Sequence, residues 1–243
     1  GEPVADAWRQ LSRANTSASA RTNEGADGVR QNGPVPGRPF PTFVYHMTRV
    51  EHLESIARSG LLDDNQAQSG SMTVEIGNQE IKDRRRLRVV DVAPGGVVAD
   101  YAPFYFNPRS PMQSSIHNGN VPTYTDGTDR LIFLVSSTQR LRELGLTVLV
   151  SDRNAALSIA EFTATDDIDD FVVWEVIQTR YWNDYLAGRE LRQAECLVHT
   201  RVPWEAFLDI GVKSPELAAE ATAALRSAGV SGPAPTVRRN WYF

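Results

Sequence analysis

Glu195 lies in Arg192-Gln193-Ala194-Glu195-Cys196-Leu197-Val198, where an apolar, strand-like run begins. A carboxylate at the edge of a buried strand is costly unless something pairs with it. Its structural use would be an ion pair with Arg192 or another base. Its chemical use would be a fixed negative charge facing a cation, as when a glycosidic bond breaks with oxocarbenium character, or an acceptor for a ribose hydroxyl. Three upstream segments carry groups suited to the same chemistry. His46, in Tyr45-His46-Met47-Thr48, can donate a hydrogen bond to a ribose hydroxyl or amide, or serve as a satisfied core or surface histidine. Lys82-Asp83-Arg84-Arg85-Arg86-Leu87-Arg88 holds four arginines in five positions. It reads either as a solvated helix face or as a phosphate clamp, because guanidinium matches phosphate in bidentate fashion. In Asp100 to Met112, Tyr101, Phe104 and Phe106 suit a core, whereas Tyr105 points the other way and is free to stack on a ring. Arg109, in the turn that follows, can meet a phosphate.

The elements that must position these groups follow from local pattern. Phe43-Val44-Tyr45 is a strand candidate. Thr48 and Glu51 match an S/T-x-x-E capping box for a helix with Val50, Leu53, Ile56 and Ala57 on its apolar face and Gly60 at its end. That places His46 at a strand-to-helix junction, where side chains commonly reach a cleft. Residues 61–80 read as polar and irregular, Glu80 to Leu87 as a short basic helix and Tyr101 to Phe106 as a strand. Ser110 and Pro111 suit the start of a helix ending near Gly119. Leu131 to Val135, Thr147 to Val150, Cys196 to Val202, Ile210 to Val212 and Thr236 to Tyr242 read as strands. Thr138 to Leu144 and Pro215 to Ser227 read as helices, and Ile168 to Val176 fits either state. Short strands mixed with short helices, without regular βαβ spacing, point to an α+β fold.

The chain has 243 residues, 41% hydrophobic and 23% charged, so it can bury a sizeable core, as one large domain or two small ones. Residues 1–42 differ in composition. Ala5 to Arg13 could form a short helix, and the Ser-, Gly- and Pro-rich remainder reads as an arm or linker, with the globular domain at 43–243. The net charge of −5 argues against a nucleic-acid binder as a whole, so any polyanion site must be local. One cysteine and four histidines without ligand spacing exclude a disulfide framework and give no metal site. No membrane-length run or signal pattern is present, and a soluble cytoplasmic protein is expected.

In order along the chain, these segments resemble the DarT family, the DNA ADP-ribosyltransferase toxins of DarT–DarG toxin–antitoxin systems. Tyr45-His46-Met47-Thr48 with Leu53-x-x-Ile56-x-x-x-Gly60-Leu61-Leu62 is similar to the family's opening. Asp100 to Met112 is similar to its central motif, and Arg192 to Val198 to its catalytic-glutamate motif. The closing Asn240-Trp241-Tyr242-Phe243 also fits, so the resemblance covers about residues 43–243. It implies the ADP-ribosyltransferase fold, a split mixed β-sheet with flanking helices. NAD would lie in a cleft between the sheet halves and be consumed as substrate, with no metal. ADP-ribose would pass to a base in single-stranded DNA, thymine being favoured, with release of nicotinamide. A DarG-like macrodomain antitoxin would be the protein partner, in the bacterial cytoplasm and away from membrane.

The resemblance also implies roles. Glu195 falls on the catalytic glutamate and Arg85 on the family's arginine, with Arg84 and Arg86 one register away. His46 falls on the NAD-contacting histidine and Tyr105 on the tyrosine near the nicotinamide. Thr48 belongs to the same NAD-binding motif, although a helix cap explains it too. Arg84, Arg86, Arg88, Arg109, Tyr181, Trp182 and Arg192 are candidates for DNA phosphate contact or base stacking, which would make binding salt-sensitive. The chain departs from the family pattern at Cys196, where an aromatic is expected, and at Gln113-Ser114, where Leu-Tyr is expected. Two alternatives remain: a transferase acting on protein or RNA, and a non-catalytic single-strand-binding module using the basic segment and Trp182.

Overall fold

Ten strands organise the chain in the computed structural model, which describes residues 37–69, 76 and 78–243. The helix expected at 5–13 and most of the arm lie outside the described residues. The strands are β1 (Phe43–Arg49), β2 (Leu61–Leu62), β3 (Tyr101–Tyr105), β4 (Leu131–Ser137), β5 (Val148–Ser151), β6 (Phe162–Thr163), β7 (Glu195–His199), β8 (Arg201–Val202), β9 (Asp209–Val212) and β10 (Pro235–Val237). Eight form one sheet in the order β10-β9-β4-β1-β3-β7-β5-β6, while β2 and β8 pair separately. Among the described strands only β10 and β9 run parallel, so the sheet is mixed.

The sheet is split. β1 pairs with β4 over seven registers and β3 with β7 over five, but β1 meets β3 at the single pair Tyr45↔Tyr105. The two halves therefore diverge on either side of that point.

Side-chain alternation sends residues to two faces. One face carries Val44, Ile132, Leu134, Phe104, Cys196, Val150 and Ile210, covered by the helices Leu53–Ser59 and Pro215–Ala228 through Leu53, Ile56, Leu217, Ala221 and Leu225. The other face has two smaller clusters. Phe43, Met47, Ile116, Phe133 and Trp241 lie on one side of the split, and Tyr101, Leu149, Phe162 and Leu197 on the other. Strand β4 is buried along its whole length, which explains its near-continuous apolar run.

Several expectations need correction. The Thr48–Glu51 capping box does not form. β1 continues to Arg49, a 3-10 turn fills Val50–His52, and Thr48 Oγ1 lies 3.0 Å from His52 Nδ1. Glu51 pairs with Arg49 and Arg130 instead, because these cations surround it. The stretch after Gly60 is not irregular at its start, since β2 is followed by a helix, Asp64–Ser69. Residues 168–176 resolve into a turn leading to the helix Trp174–Gln178. The last strand stops at Val237 and a 3-10 turn, Arg239–Trp241, follows. That turn folds the Trp241 indole onto Gly211, where a Cβ would sit 2.1 Å from the ring. Gln113, fully buried, donates through Nε2 to the Trp241 carbonyl at 3.0 Å, so the departure at this position anchors the closing segment.

Candidate active site

Glu195 opens β7 and is only 2% exposed. Arg85 Nη1 donates to both of its carboxylate oxygens, at 3.1 and 2.8 Å. The Ala155 amide donates to Oε1 at 3.2 Å. The Glu195 amide donates to Ser151 Oγ, whose hydroxyl in turn donates to the Arg153 carbonyl. The carboxylate is thus held from two sides, by the basic helix Gln79–Leu87 and by the loop after β5. Arg85 is the one buried residue of its helix. Burial works against its charge, but Glu195 more than offsets this and the guanidinium stays above its ordinary range. Its Nη2 is buried with no hydrogen-bond partner among the described residues.

Tyr105 stands opposite Glu195 across β3–β7 and opposite Tyr45 across β1–β3. Residues directly opposite share a face, so Tyr45, Tyr105 and Glu195 form a row that crosses the split, between the two smaller clusters. Burial first and the Glu195 charge second push the Tyr105 phenol up, against the opposing Arg85, so it stays protonated. Its hydroxyl lies 3.7 Å from Met112 Sδ.

His46 follows Tyr45 and bridges the split from the other side. Its Nδ1 lies 2.8 Å from the Pro103 carbonyl, which can only accept, so Nδ1 carries the proton. Burial is the largest cause that lowers its pKa, to about 4; the Pro103 bond opposes this, and His52 and Arg85 add to it. The ring is therefore neutral, and Nε2 offers a lone pair. This reverses the expected sense of the contact, since the available nitrogen of His46 accepts. Thr48 is buried, in contact with His52.

The other arginines separate clearly. Arg84 is exposed and pairs with Glu80, and Arg86 pairs with Asp83 at 2.9 Å and approaches Asp64 at 3.6 Å. Arg88, Trp182 and Arg192, expected to contact DNA, are each engaged within the fold. Arg88 donates to the Leu157, Ala160 and Val89 carbonyls and packs over Phe162. Trp182 is buried, edge-on to Phe243. Arg192 is buried, and its nitrogens donate to the Arg109, Val176, Ile177 and Thr179 carbonyls. Burial first, then Arg109, lowers its pKa to about 10, and it does not pair with Glu195. Arg109 and Tyr181 differ from these. The Arg109 guanidinium lies over the Phe243 ring at 4.3 Å with no described carboxylate beside it, and Tyr181 is 63% exposed with Arg180 over its ring. Sequence reasoning missed Ala155 and Ser151, for which no signal existed: one acts through its backbone and the other is a lone serine at a strand end.

The family model described as "ssDNA thymidine ADP-ribosyltransferase, DarT" matches residues 45–243. The chain belongs to the DarT family. A DNA ADP-ribosyl transferase of Thermus sp. (strain 2.9) is 36% identical over 207 residues, covering 84% of this chain and 98% of the relative. A DNA ADP-ribosyl transferase of Escherichia coli O127:H6 is 26% identical, covering 84% and 95%. The solved Thermus sp. 2.9 DarT in complex with ADP-ribosylated ssDNA superposes with a TM-score of 0.81, covering 86% of this chain and 99% of that one. The same DarT in complex with NAD+ gives 0.75, covering 84% and 99%. The fold and family expected from the motifs are therefore those found. Among the described residues no helix is long and apolar enough to cross a membrane, and no cluster of His, Cys, Asp and Glu suits a metal.

Proposed function

We propose that this chain is an NAD-dependent mono-ADP-ribosyltransferase acting on a thymine base in single-stranded DNA, with residues 43–243 as its catalytic domain. The observation that carries the reading is the buried Glu195 carboxylate held by Arg85, in register with Tyr105 and beside the split that His46 bridges. The residues present suit NAD. Arg85 Nη2 is a buried donor lacking an acceptor among the described residues, and His46 Nε2 is an acceptor at the split. When bound, NAD supplies an ADP-ribosyl group whose bond to nicotinamide breaks with positive charge developing on the ribose. Glu195 faces that charge and stabilises it; because Arg85 and Ala155 already orient the carboxylate, little reorganisation remains at the moment of reaction. His46 accepts from a ribose hydroxyl, and Tyr105 lies along the nicotinamide side of the row. Single-stranded DNA suits the chemistry because a base-pairing nitrogen is hidden in a duplex. Arg109, half-buried with no described carboxylate beside it, and the exposed Tyr181 are the phosphate and stacking contacts best placed for it, with Arg84 exposed on the basic helix.

As in the systems the family is known from, a DarG-like macrodomain antitoxin is the proposed partner and the bacterial cytoplasm the proposed location. An oligonucleotide panel incubated with NAD and read by mass tests the reading. The expected result is a gain of one ADP-ribose on thymine-containing single strands. Labelling of protein or RNA with no DNA product would overturn it.

A further inference from the structure

The helix that carries Arg85 has almost nothing apolar to bury. Arg85 is its one buried residue, while Ile81 and Leu87 are exposed. An apolar stripe ordinarily sets the rotation of a surface helix about its axis. Here polar contacts must set it, and Asp64 supplies them. Lys82 and Arg86 are four residues apart and share a helix face. Lys82 Nζ donates to Asp64 Oδ1, and Arg86 Nη2 stands 3.6 Å from Asp64 Oδ2. The Lys82 and Asp64 side chains are only 13% and 12% exposed, so the pair is partly shielded from salt. Arg85 projects from the neighbouring position, towards Glu195. At the end of the helix Arg88 donates to the Leu157 and Ala160 carbonyls, in the same loop whose Ala155 amide binds Glu195.

We propose that Asp64 is a positioning residue for the transferase: by binding Lys82 and Arg86 it fixes the rotation of the Gln79–Leu87 helix and so keeps Arg85 on Glu195. It touches no reacting atom. The lever is steep, because a guanidinium reaches far from the helix axis. A rotation of roughly 20° would move it by about 3 Å, enough to lose the Glu195 contact.

The inference rests on the transferase reading for its kinetic test, and has a second test that does not. In the first, Asp64→Asn removes the charge with little change of shape. Turnover should fall at least about 10-fold with the KM for the oligonucleotide unchanged, and Asp64→Glu should recover most of the loss. In the second, a thermal-denaturation cycle reads the placement without turnover. Arg85→Met should cost clearly less stability in the Asp64→Asn background than in the wild type, because Arg85 no longer sits on Glu195 there. Additive costs in that cycle, wild-type turnover in Asp64→Asn, or a fall in turnover matched by a fall in folded fraction would each overturn the proposal. A wild-type chain that modifies no DNA counts against the transferase reading alone, and the denaturation cycle still decides the role of Asp64.

Discussion

Arg85→Met tests the central pair most directly. Glu195 is 2% exposed, and its carboxylate receives two hydrogen bonds from Arg85 Nη1 and one from the Ala155 amide. Methionine keeps the apolar stem of the arginine but leaves the carboxylate with a single backbone donor and no counter-charge. Removing one partner of a buried ion pair costs about 3–5 kcal/mol, because the other charge stays desolvated. For a domain of this size each kcal/mol lowers the melting temperature by roughly 2–4 °C, so a drop of roughly 6–20 °C is expected. The double variant Arg85→Met/Glu195→Leu removes the stranded charge and should regain most of the loss, since an apolar pair of similar volume is often neutral or better. Chemical denaturation followed by circular dichroism measures both. The reasoning fails if Arg85→Met stays within about 1 kcal/mol of wild type, or if the double variant is no more stable than the single.

Glu195→Gln keeps the shape of the side chain and should lower transfer to DNA by at least about 100-fold while the fold persists; comparable activity by mass assay removes Glu195 from the chemistry. His46, with its pKa lowered to about 4, disfavours protonation when folded, so the unfolded chain takes up the proton first. Its contribution is fully present above about pH 6.5 and is lost as pH falls towards 4, reaching roughly 3 kcal/mol; the difference between wild type and His46→Gln in denaturation at several pH values measures it. Trp182→Ala should act on stability, costing about 3–5 kcal/mol, because the ring is core. Tyr181→Ala should leave stability within about 0.5 kcal/mol and weaken binding of a fluorescent single strand; the opposite pattern reverses their roles.

What could be read from the sequence divides along physical lines. Periodicity and cap chemistry reached the helix Pro215–Ala228, with Ser214 accepting from the Leu217 amide and Gly229 in the left-handed region, because these signals are local. The order of three motifs reached the fold and family. The Thr48–Glu51 motif misled because Arg49, a near neighbour in sequence, and Arg130, brought alongside by the fold, outcompete a backbone amide for Glu51. Guanidinium groups looked alike in sequence and proved different in place. Arg85 is buried on an acid, Arg192 on carbonyls, and Arg109 lies over a ring. No local pattern distinguishes them, because each assignment depends on what the rest of the sheet brings alongside. The Ala155 amide had no side-chain signature at all.

The single register between β1 and β3 has a mechanical consequence. A backbone hydrogen bond contributes about 1 kcal/mol net, so the junction between the halves resists separation far less than its seven- and five-register neighbours. It has the fewest paired residues of any junction in the sheet, and the row from Tyr45 through Tyr105 to Glu195 lies across it. A small widening there opens room between the halves while Arg85 and Ala155, both anchored on the Glu195 side, travel with the carboxylate. The sheet can thus yield along one seam, as a book opens at its spine, with the grip on its reactive acid intact.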